Sequence, residues 1–554
     1  MQTMNRFYTY LFLVPAFLTM PGILQAQDTT ALPGNLRNQP ITITSEYTPV
    51  LKPFSKINFS SSENLPALPK TMLKYNVPAQ SMPVNYEPAA LYALAVNIDT
   101  TVSWHKENFV KLGYGNLSTP YAEAGLSLGD GAHHALSFYG KHTQSKGELP
   151  FQKFGKTYVS VNGLANIQDA HTLDAKVFFS RNTQYEYGFG NTQKQFTEAD
   201  LLRRYATFGL HAGLENKKAN AYNISYHPEI FFEVLNDNRS ASEINLKAEA
   251  PISKELIENV AFNLGITADI TSYKTANAHI NNTIFYIAPA IEYATEKFSI
   301  LAGATPSWDR SHFYLLPQIS LNASLAQRLS IFGGWKGYYN KTNYSTLTIL
   351  NPWIQQPEEL LNNRVTEAYG GIKGSVGDHL NYNGKVGYQK LYNLPLFIND
   401  DADGRTFKVV NESQLNNLYI HGEVGYTQKE SFSMIAGITK NFYNTLTDNK
   451  DPYGHIPLEL SAALRWKLLK NIYLKSDAFL LNGIAYLDHR SNTTKKLSSA
   501  FDLNAGLEVN LIKNIGVWFQ VNNLLNSKYQ RWNQYPVLGA NFLGGVVVNF
   551  NGKQ

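Results

Sequence analysis

The stretch Phe501–Leu511 reads FDLNAGLEVNL and alternates apolar with polar residues along its whole length. Successive side chains of a β-strand point to opposite faces of the sheet, so alternation in sequence becomes a division between two surfaces. The stretch therefore predicts a strand with one apolar face, suited to lipid, and one polar face, suited to water.

The same alternation recurs over residues 243–250, 260–269 and 458–467. Segments of about ten residues with this pattern follow one another from residue 108 to residue 550, which is typical of a membrane barrel. With Arg405–Gln428 taken as one long strand, we count roughly 22 crossings, an even number as in bacterial barrels. The predicted fold is all-β: a transmembrane, antiparallel, up-and-down β-barrel of the cell outer membrane.

The lengths of the connections distinguish this barrel from a soluble β-sandwich, whose strands also alternate. Tight links such as Lys470-Asn471 and Lys513-Asn514 alternate with long ones such as residues 184–202 and 341–363. Outer-membrane barrels sort their connections in this way, with the short turns in the periplasm. An even number of strands places both ends of the barrel there as well.

The segments before and after the barrel have different compositions. Residues 1–26 predict a signal peptide, with Arg6 before an apolar run and a cleavage site near Ala26. Residues 27–105 contain nine prolines between Leu32 and Ala89, which excludes a regular domain and predicts an extended periplasmic or lumenal arm. The barrel is expected over residues 106–550, followed by a tail at 551–554.

The overall composition excludes several functions. The chain has 16% charged residues, 13% aromatic residues and no cysteine, so we expect neither disulfides nor a lipoprotein anchor. It has no block of Lys or Arg suited to phosphate backbones, and nucleic acid is not an expected partner. It also lacks a nucleophile elbow and a Gly-rich phosphate loop, so we expect no enzyme and no cofactor.

The C-terminal residues carry a family resemblance. The element Val521–Asn526 with Tyr529, followed by the final stretch Gly544–Phe550, resembles the last hairpin of TonB-dependent receptors. In that family, the aromatic end of the last strand is a signal to the outer-membrane assembly machinery. The resemblance gives this role to Phe550, although four further residues follow it here.

The resemblance implies less at the other end of the chain. A segment of the arm loosely resembles a TonB box, consisting of Ile41, Thr42, Ile43, Thr44, Ser45 and Glu46. The alternative is an extended segment that binds the barrel wall or binds nothing. Only the arm separates the signal peptide from the first strand, so we expect no full plug domain.

Charged residues of both signs fall on the polar faces of the strands. The candidates for lining the lumen are Glu243, Lys247, Glu249, Asp269, Glu423, Arg465, Lys467, Asp502 and Glu508. The alternative is a hydrated wall whose charges pair with one another across strands and with the arm.

Three further patterns have a plainer explanation than a ligand site. Residues 399–404 match the first half of a calcium loop, but Val410 stands where its bidentate Glu belongs, so we expect a polar loop tip and no metal site. His133 and His134 would point to opposite faces of a strand. The aromatic segments 308–313, 338–353 and 529–535 could stack on flat ligands, or could belong to an interfacial belt.

These features favour an outer-membrane transporter, and they do not identify its substrate. The expected partners are outer-membrane lipid, the assembly machinery and either TonB or a surface or periplasmic protein. The alternative is a scaffold barrel that acts with partner proteins in secretion or envelope assembly and transports nothing itself.

Overall fold

The computed structural model describes residues 108–550, apart from 130–132, 168–169, 190–194, 218–219, 430 and 489. The first strands are β1 Phe109–Gly115, β2 Thr119–Gly129, β3 His134–Lys146, β4 Lys153–Ile167, β5 His171–Tyr185, β6 Leu202–Asn216, β7 Ile224–Tyr226, β8 Glu229–Asp237, β9 Ser242–Ile257, β10 Val260–Lys274, β11 His279–Ala294, β12 Phe298–Asp309, β13 His312–Ala326 and β14 Leu329–Asn340. The others are β15 Asn363–Val376, β16 Leu380–Asn399, β17 Phe407–Gln428, β18 Phe432–Asn444, β19 Leu458–Leu469, β20 Ile472–Asn482, β21 Ala485–Asp488, β22 Thr493–Lys496, β23 Ala500–Ile512, β24 Ile515–Asn522, β25 Gln530–Trp532, β26 Tyr535–Pro536 and β27 Asn541–Asn549. The helices are α1 Glu198–Leu201 and α2 Tyr344–Leu350.

The wall is a closed antiparallel barrel of 22 strands, which confirms the predicted fold and strand count. Strands β7 and β8 occupy one place in it, since both pair with β9 and only His227 and Pro228 separate them. Pro228 lacks the N–H that a continuous ladder needs. Strand β1 pairs with β27 from Phe109↔Asn549 to Gly115↔Leu543, and this pairing closes the barrel.

The seam between the first and last strands is tight because glycines face each other there. A Cβ added to Gly545 would lie 1.9 Å from the carbonyl oxygen of Leu112, and one added to Gly113 would lie 2.3 Å from the Trp518 ring. The Trp518 ring nitrogen donates to the same Leu112 oxygen at 3.2 Å. Only glycine leaves room for this contact.

The outer surface of the wall is predominantly apolar. Side chains such as Leu246, Phe208 and Leu507 point outward and are 40%, 45% and 37% exposed, while their sequence neighbours face the interior. This division follows the alternation in the sequence and gives the protein its lipid-facing band, so the chain is an outer-membrane β-barrel. Neither helix among the described residues is long and apolar enough to cross a membrane.

The connections are sorted by length, as expected. At one end they are short turns, as at residues 258–259, 470–471 and 513–514, and at the other end they include residues 186–201, 341–362 and 523–540. The end with the long loops is the extracellular one. The sequence predicts an outer loop at residues 308–313. The structure instead has a tight hairpin there, which turns at Arg310-Ser311 between β12 and β13. Trp308 and Phe313 face outward on it, with rings 5.3 Å apart.

Candidate functional site

Long loops fold together over the extracellular mouth of the barrel. Loops usually run over a protein surface, but these share a hydrophobic core with the upper part of the wall. We call this core the mouth cluster, and its buried members are Tyr205, Leu235, Ala241, Tyr273, Tyr344, Leu347, Leu350, Ile354, Leu360, Phe397, Phe407, Trp532 and Tyr535. A fully buried Leu or Ile side chain contributes about 1.5–3 kcal/mol, so the cluster holds the loops firmly.

Loop 341–362 crosses from its own strands to a distant part of the wall. Its helix α2 begins at the N-cap Asn343, whose side chain accepts from the Thr346 N–H. The Glu243 carboxylate on β9 then accepts from two further N–H groups at the start of α2, those of Tyr344 at 2.5 Å and Ser345 at 2.9 Å. One buried carboxylate therefore satisfies two N–H groups that the helix leaves unpaired.

Two tyrosines add to the attachment of the same loop. The Tyr344 hydroxyl donates to Asp237 Oδ2 at 2.9 Å, and the Tyr205 hydroxyl donates to the Pro352 carbonyl at 2.7 Å. Asp237 and Tyr205 belong to β8 and β6, whereas loop 341–362 emerges between β14 and β15. The loop thus extends over the mouth and is bonded to strands of the wall that do not adjoin its own.

The base of loop 341–362 is polar and fully bonded to the wall. The Asn362 amide donates to Asn282 at 2.6 Å and to Asp309 at 2.8 Å, and all three side chains are buried. Lys341 lies 3.2 Å from Asp269, an ion pair with both side chains at most 15% exposed. Burial lowers the pKa of Lys341, and the Asp269 carboxylate opposes that shift.

Aromatic rings join loop 341–362 to loop 523–540. Trp353 stacks on Tyr535 with ring centroids 3.8 Å apart, and Tyr187 packs edge-on against Tyr535 at 5.0 Å. The Tyr535 hydroxyl donates to the Arg405 carbonyl, and Tyr187 donates to the Pro536 carbonyl at 2.9 Å. Each aromatic pair adds about 0.5–1.5 kcal/mol beyond its buried area.

A buried carboxylate lies among three arginines at the edge of the mouth cluster. Glu186 Oε1 lies 2.5 Å from Arg203 Nε and 2.9 Å from Arg239 Nη2, and Glu186 Oε2 lies 3.2 Å from Arg405 Nε. Burial lowers the pKa of Arg239, and the nearby charge of Arg203 lowers it further. The arginines come from β6, the β8–β9 turn and the β16–β17 loop, so Glu186 joins one strand and two connections to loop 186–201.

The barrel is similar to solved structures of outer-membrane transport proteins. It matches the FrpB iron transporter from Neisseria meningitidis (F3-3 variant) with a TM-score of 0.63 and 11% identity, covering 81% of this chain and 82% of that chain. It matches the pyoverdine outer membrane receptor FpvA from Pseudomonas aeruginosa PAO1 with a TM-score of 0.61 and 10% identity, covering 81% and 79%. The chain has the barrel fold of TonB-dependent receptors.

A third structure extends the similarity. The ferric-catecholate import receptor Fiu from E. coli K12 has a TM-score of 0.58 and 10% identity, with 80% of this chain and 82% of that chain covered. These neighbours are transport receptors and not enzymes, in agreement with the sequence. No protein-family model and no curated protein sequence matches the chain. The similarity therefore concerns the fold of the receptor-like barrel.

The structure places the lumen-lining candidates of the receptor-like barrel in several different settings. Glu243 and Asp269 are tied to loop 341–362, as described above. Asp502 accepts from the Tyr529 hydroxyl at 2.6 Å and so holds loop 523–540. The remaining candidates lie lower on the wall: Lys247 pairs with Glu249 at 2.8 Å, Glu508 lies 3.6 Å from Lys111, and Glu423, Arg465 and Lys467 lie on β17 and β19.

The aromatic segments and the calcium-like segment are also placed by the structure. Trp353, Trp532 and Tyr535 pack on protein atoms within the mouth cluster. The Asp400 carboxylate accepts from the N–H groups of Ala402, Asp403 and Thr406. Burial acts to raise the pKa of Asp400, but these donors outweigh it and lower the pKa. Across residues 108–550, outside the gaps given above, the structure brings together no group of three His, Asp or Glu that could hold a metal.

Sequence reasoning misses Glu186 and its three arginines altogether. Glu186 is separated from Arg239 and Arg405 by long stretches of chain, and no local pattern links them. Loop 341–362 does carry a signal, because Leu347, Ile354 and Leu360 are apolar residues in a connection expected to be exposed to water.

Several expectations lie outside the described residues. These are the signal peptide, the Pro-rich arm with the segment Ile41–Glu46, and the tail at 551–554. Phe550 is described: its side chain is 52% exposed and its N–H donates to the Asn108 carbonyl at 2.6 Å.

Proposed function

We propose that this receptor-like barrel transports a solute across the outer membrane and is gated at its extracellular mouth by loop 341–362. The observation that supports the proposal is the path of that loop, which leaves β14, extends over the mouth and bonds to Glu243 on β9 and Tyr205 on β6, strands that do not adjoin its own. A scaffold barrel has no need for a buried loop across its opening.

The width of the barrel explains why its mouth needs to be closed. Barrels of about 22 strands belong to transporters whose lumen is plugged, because an open barrel of this width leaks. A folded loop layer restricts passage on the outer side, and opening it requires release of the bonds at Glu243 and the aromatic contacts of Trp353. Transport on this proposal is coupled to that release.

The proposal has finer parts that concern the ends of the chain. We propose that the arm of residues 27–105 occupies part of the lumen, that TonB contacts Ile41–Glu46, and that Phe550 directs assembly of the barrel. The solute is unspecified; the FrpB, FpvA and Fiu receptors handle iron, pyoverdine and ferric catecholates. Iron chelates are therefore the first solutes to test.

The experiment compares a strain lacking the protein with strains carrying the wild type or a loop variant. In the variant, Gly and Ser replace residues 344–360 at equal length. Transport predicts that loss of the protein abolishes accumulation of one class of solute, and that the loop variant sensitises cells to vancomycin. The matched control replaces the hairpin β21–β22, which lies outside the mouth cluster, and should leave vancomycin resistance unchanged.

The scaffold alternative gives a different result. It predicts stoichiometric protein partners on purification, no change in the accumulation of any solute when the protein is lost, and no vancomycin sensitivity in the loop variant. That combination would overturn the transport proposal.

A further inference from the structure

Four basic side chains lie on the lipid-facing surface of the adjacent strands β3 to β6. They are Lys146, Lys153, Arg181 and Arg204. Each falls on the same alternate positions of its strand as outward apolar side chains, which include Phe138, Val159, Val177, Phe179, Phe208 and Leu210. Because side chains two residues apart share a face, the four basic groups point outward too.

The four basic side chains lie at the extracellular edge of the apolar band. On β5 the outward residues Val177 and Phe179 come before Arg181 on the way to the extracellular end. On β6, which runs the other way, Arg204 comes before Phe208 and Leu210. The basic groups therefore lie where the hydrocarbon of the outer leaflet ends and its headgroups begin.

The four basic residues form two pairs of close like charges. Lys146 and Lys153 are directly opposite on β3 and β4. Arg204 is opposite Thr183, two residues beyond Arg181 on β5, so the two arginines are diagonal neighbours, about 7–8 Å apart. Like charges directly opposite each other destabilise a sheet, and an anion bound beside them offsets the repulsion.

The described part of the chain supplies little compensating charge. Among its residues, Glu198 is the one carboxylate within ion-pair distance of any of the four, 3.0 Å from Lys153. The Nε of Arg204 is buried and has no hydrogen-bond partner there. Arg181 and Arg204 thus form a pair of guanidinium groups with no carboxylate partner among the described residues, at the depth of the lipid headgroups.

We propose that this surface binds the phosphate groups of the phosphorylated glycolipid of the outer leaflet, lipid A. A guanidinium can engage phosphate oxygens through two parallel hydrogen bonds, and long basic side chains reach from a membrane wall to the headgroups. The acyl chains then lie along Val177, Phe179 and Phe208. The surface ends on the side of β2, since the outward positions at the same end of β27, β1 and β2 carry Phe542, Tyr114 and Pro120.

The test measures lipid A binding to the full protein in mild detergent by native mass spectrometry. The wild type is titrated with lipid A and with the same lipid A after enzymatic removal of its phosphates. The variant Arg181→Ala/Arg204→Ala is titrated alongside it. The control Lys390→Ala/Lys440→Ala removes two outward lysines from β16 and β18 and so matches the loss of two charges.

We expect the arginine variant to bind lipid A about tenfold more weakly or worse, since two cations near an anionic headgroup are lost. The control should match the wild type, dephosphorylated lipid A should bind as weakly as in the variant, and millimolar inorganic phosphate should not compete. Equal binding by the arginine variant, or equal binding of dephosphorylated lipid A to the wild type, overturns the proposal. Competition by inorganic phosphate would overturn the assignment to lipid. The wild-type comparison of the two lipids decides the matter even if the variant does not fold.

Discussion

Glu186 and Glu243 hold the loops by two different kinds of contact. Glu243 accepts backbone N–H groups, so it fixes the path of one helix, whereas Glu186 pairs with charged side chains from strand β6 and from two separate connections. A buried carboxylate of the second kind is costly to remove, because its partners stay buried and charged. Loss of Glu186 should therefore loosen several loops together.

We predict that Glu186→Gln lowers the free energy of opening of loop 186–201 and the β16–β17 loop by about 3–5 kcal/mol. The reason is that Arg203, Arg239 and Arg405 keep their charges and lose their shared carboxylate. Hydrogen exchange of the loop amides should accelerate by at least about a hundredfold, since each 1.4 kcal/mol is a factor of ten. Exchange in the strands of the barrel should stay unchanged.

Asp378→Asn is the matched control for Glu186→Gln. Asp378 lies 2.7 Å from Arg328, but the two side chains are 80% and 51% exposed, so the pair contributes at most about 1 kcal/mol. Equal exchange rates in the two variants would show that Glu186 does not hold the loops.

His455 makes the loop between β18 and β19 sensitive to pH. The side chain is 8% exposed and its Nε2 lies 2.9 Å from the Pro395 carbonyl. Burial lowers its pKa to about 4; the bond to Pro395 opposes the shift and Arg531 adds to it. In the unfolded chain the pKa of a histidine side chain is about 6.5. Because the folded loop favours the neutral imidazole, the loop is stabilised above that pH and loses stability as the pH falls toward 4.

We predict that loop 445–457 opens more readily at pH 5 than at pH 7, by about 2 kcal/mol. Hydrogen exchange of its amides, corrected for the intrinsic effect of pH, measures this change. His455→Gln should remove the dependence between pH 7 and pH 5, because no imidazole is left to be protonated. A loop in the variant that still responds to pH would place the titrating group elsewhere.

Strands and loops differ in how far the sequence predicts them. Strand β23 occupies residues 500–512, around the alternating stretch 501–511, because lipid on one side and water on the other impose a period of two. Loop 341–362 has no period, and its partners on β6, β8 and β9 are set by the closure of the whole barrel. Its apolar residues indicate burial, but only the structure shows against which part of the wall.

At the scale of an element, helix α2 should be the weak point of the gate. We predict that Glu243→Ala leaves the N–H groups of Tyr344 and Ser345 without an acceptor and costs about 1–3 kcal/mol for each. Loop 341–362 should become susceptible to added protease on intact cells, while the barrel keeps its mobility on a gel without heating. Glu249→Ala is the control, since Glu249 lies on the same strand and pairs with Lys247 away from the loop. Equal protease sensitivity of the two variants would separate Glu243 from the gate.

At the scale of the whole molecule, the wall and the mouth follow different rules. The 22-stranded wall is closed by the pairing of β1 with β27, and its apolar outer face needs lipid. The mouth is closed by side chains from loops, with contacts that water can replace. A gate built in this way opens without disturbing the wall, since local opening costs much less than unfolding of the barrel.

If residues 27–105 occupy the lumen, as we propose, the barrel is closed in two places, and a test of conductance can distinguish two closures in series from one. In planar bilayers, deletion of residues 27–105 alone should raise conductance only slightly, because the mouth cluster still restricts passage. The Gly/Ser replacement of 344–360 alone should raise it further, and the two changes together should give a conductance larger than the sum of the separate increases. If the arm lies outside the lumen, the double variant will conduct no better than the loop variant, since only one closure exists.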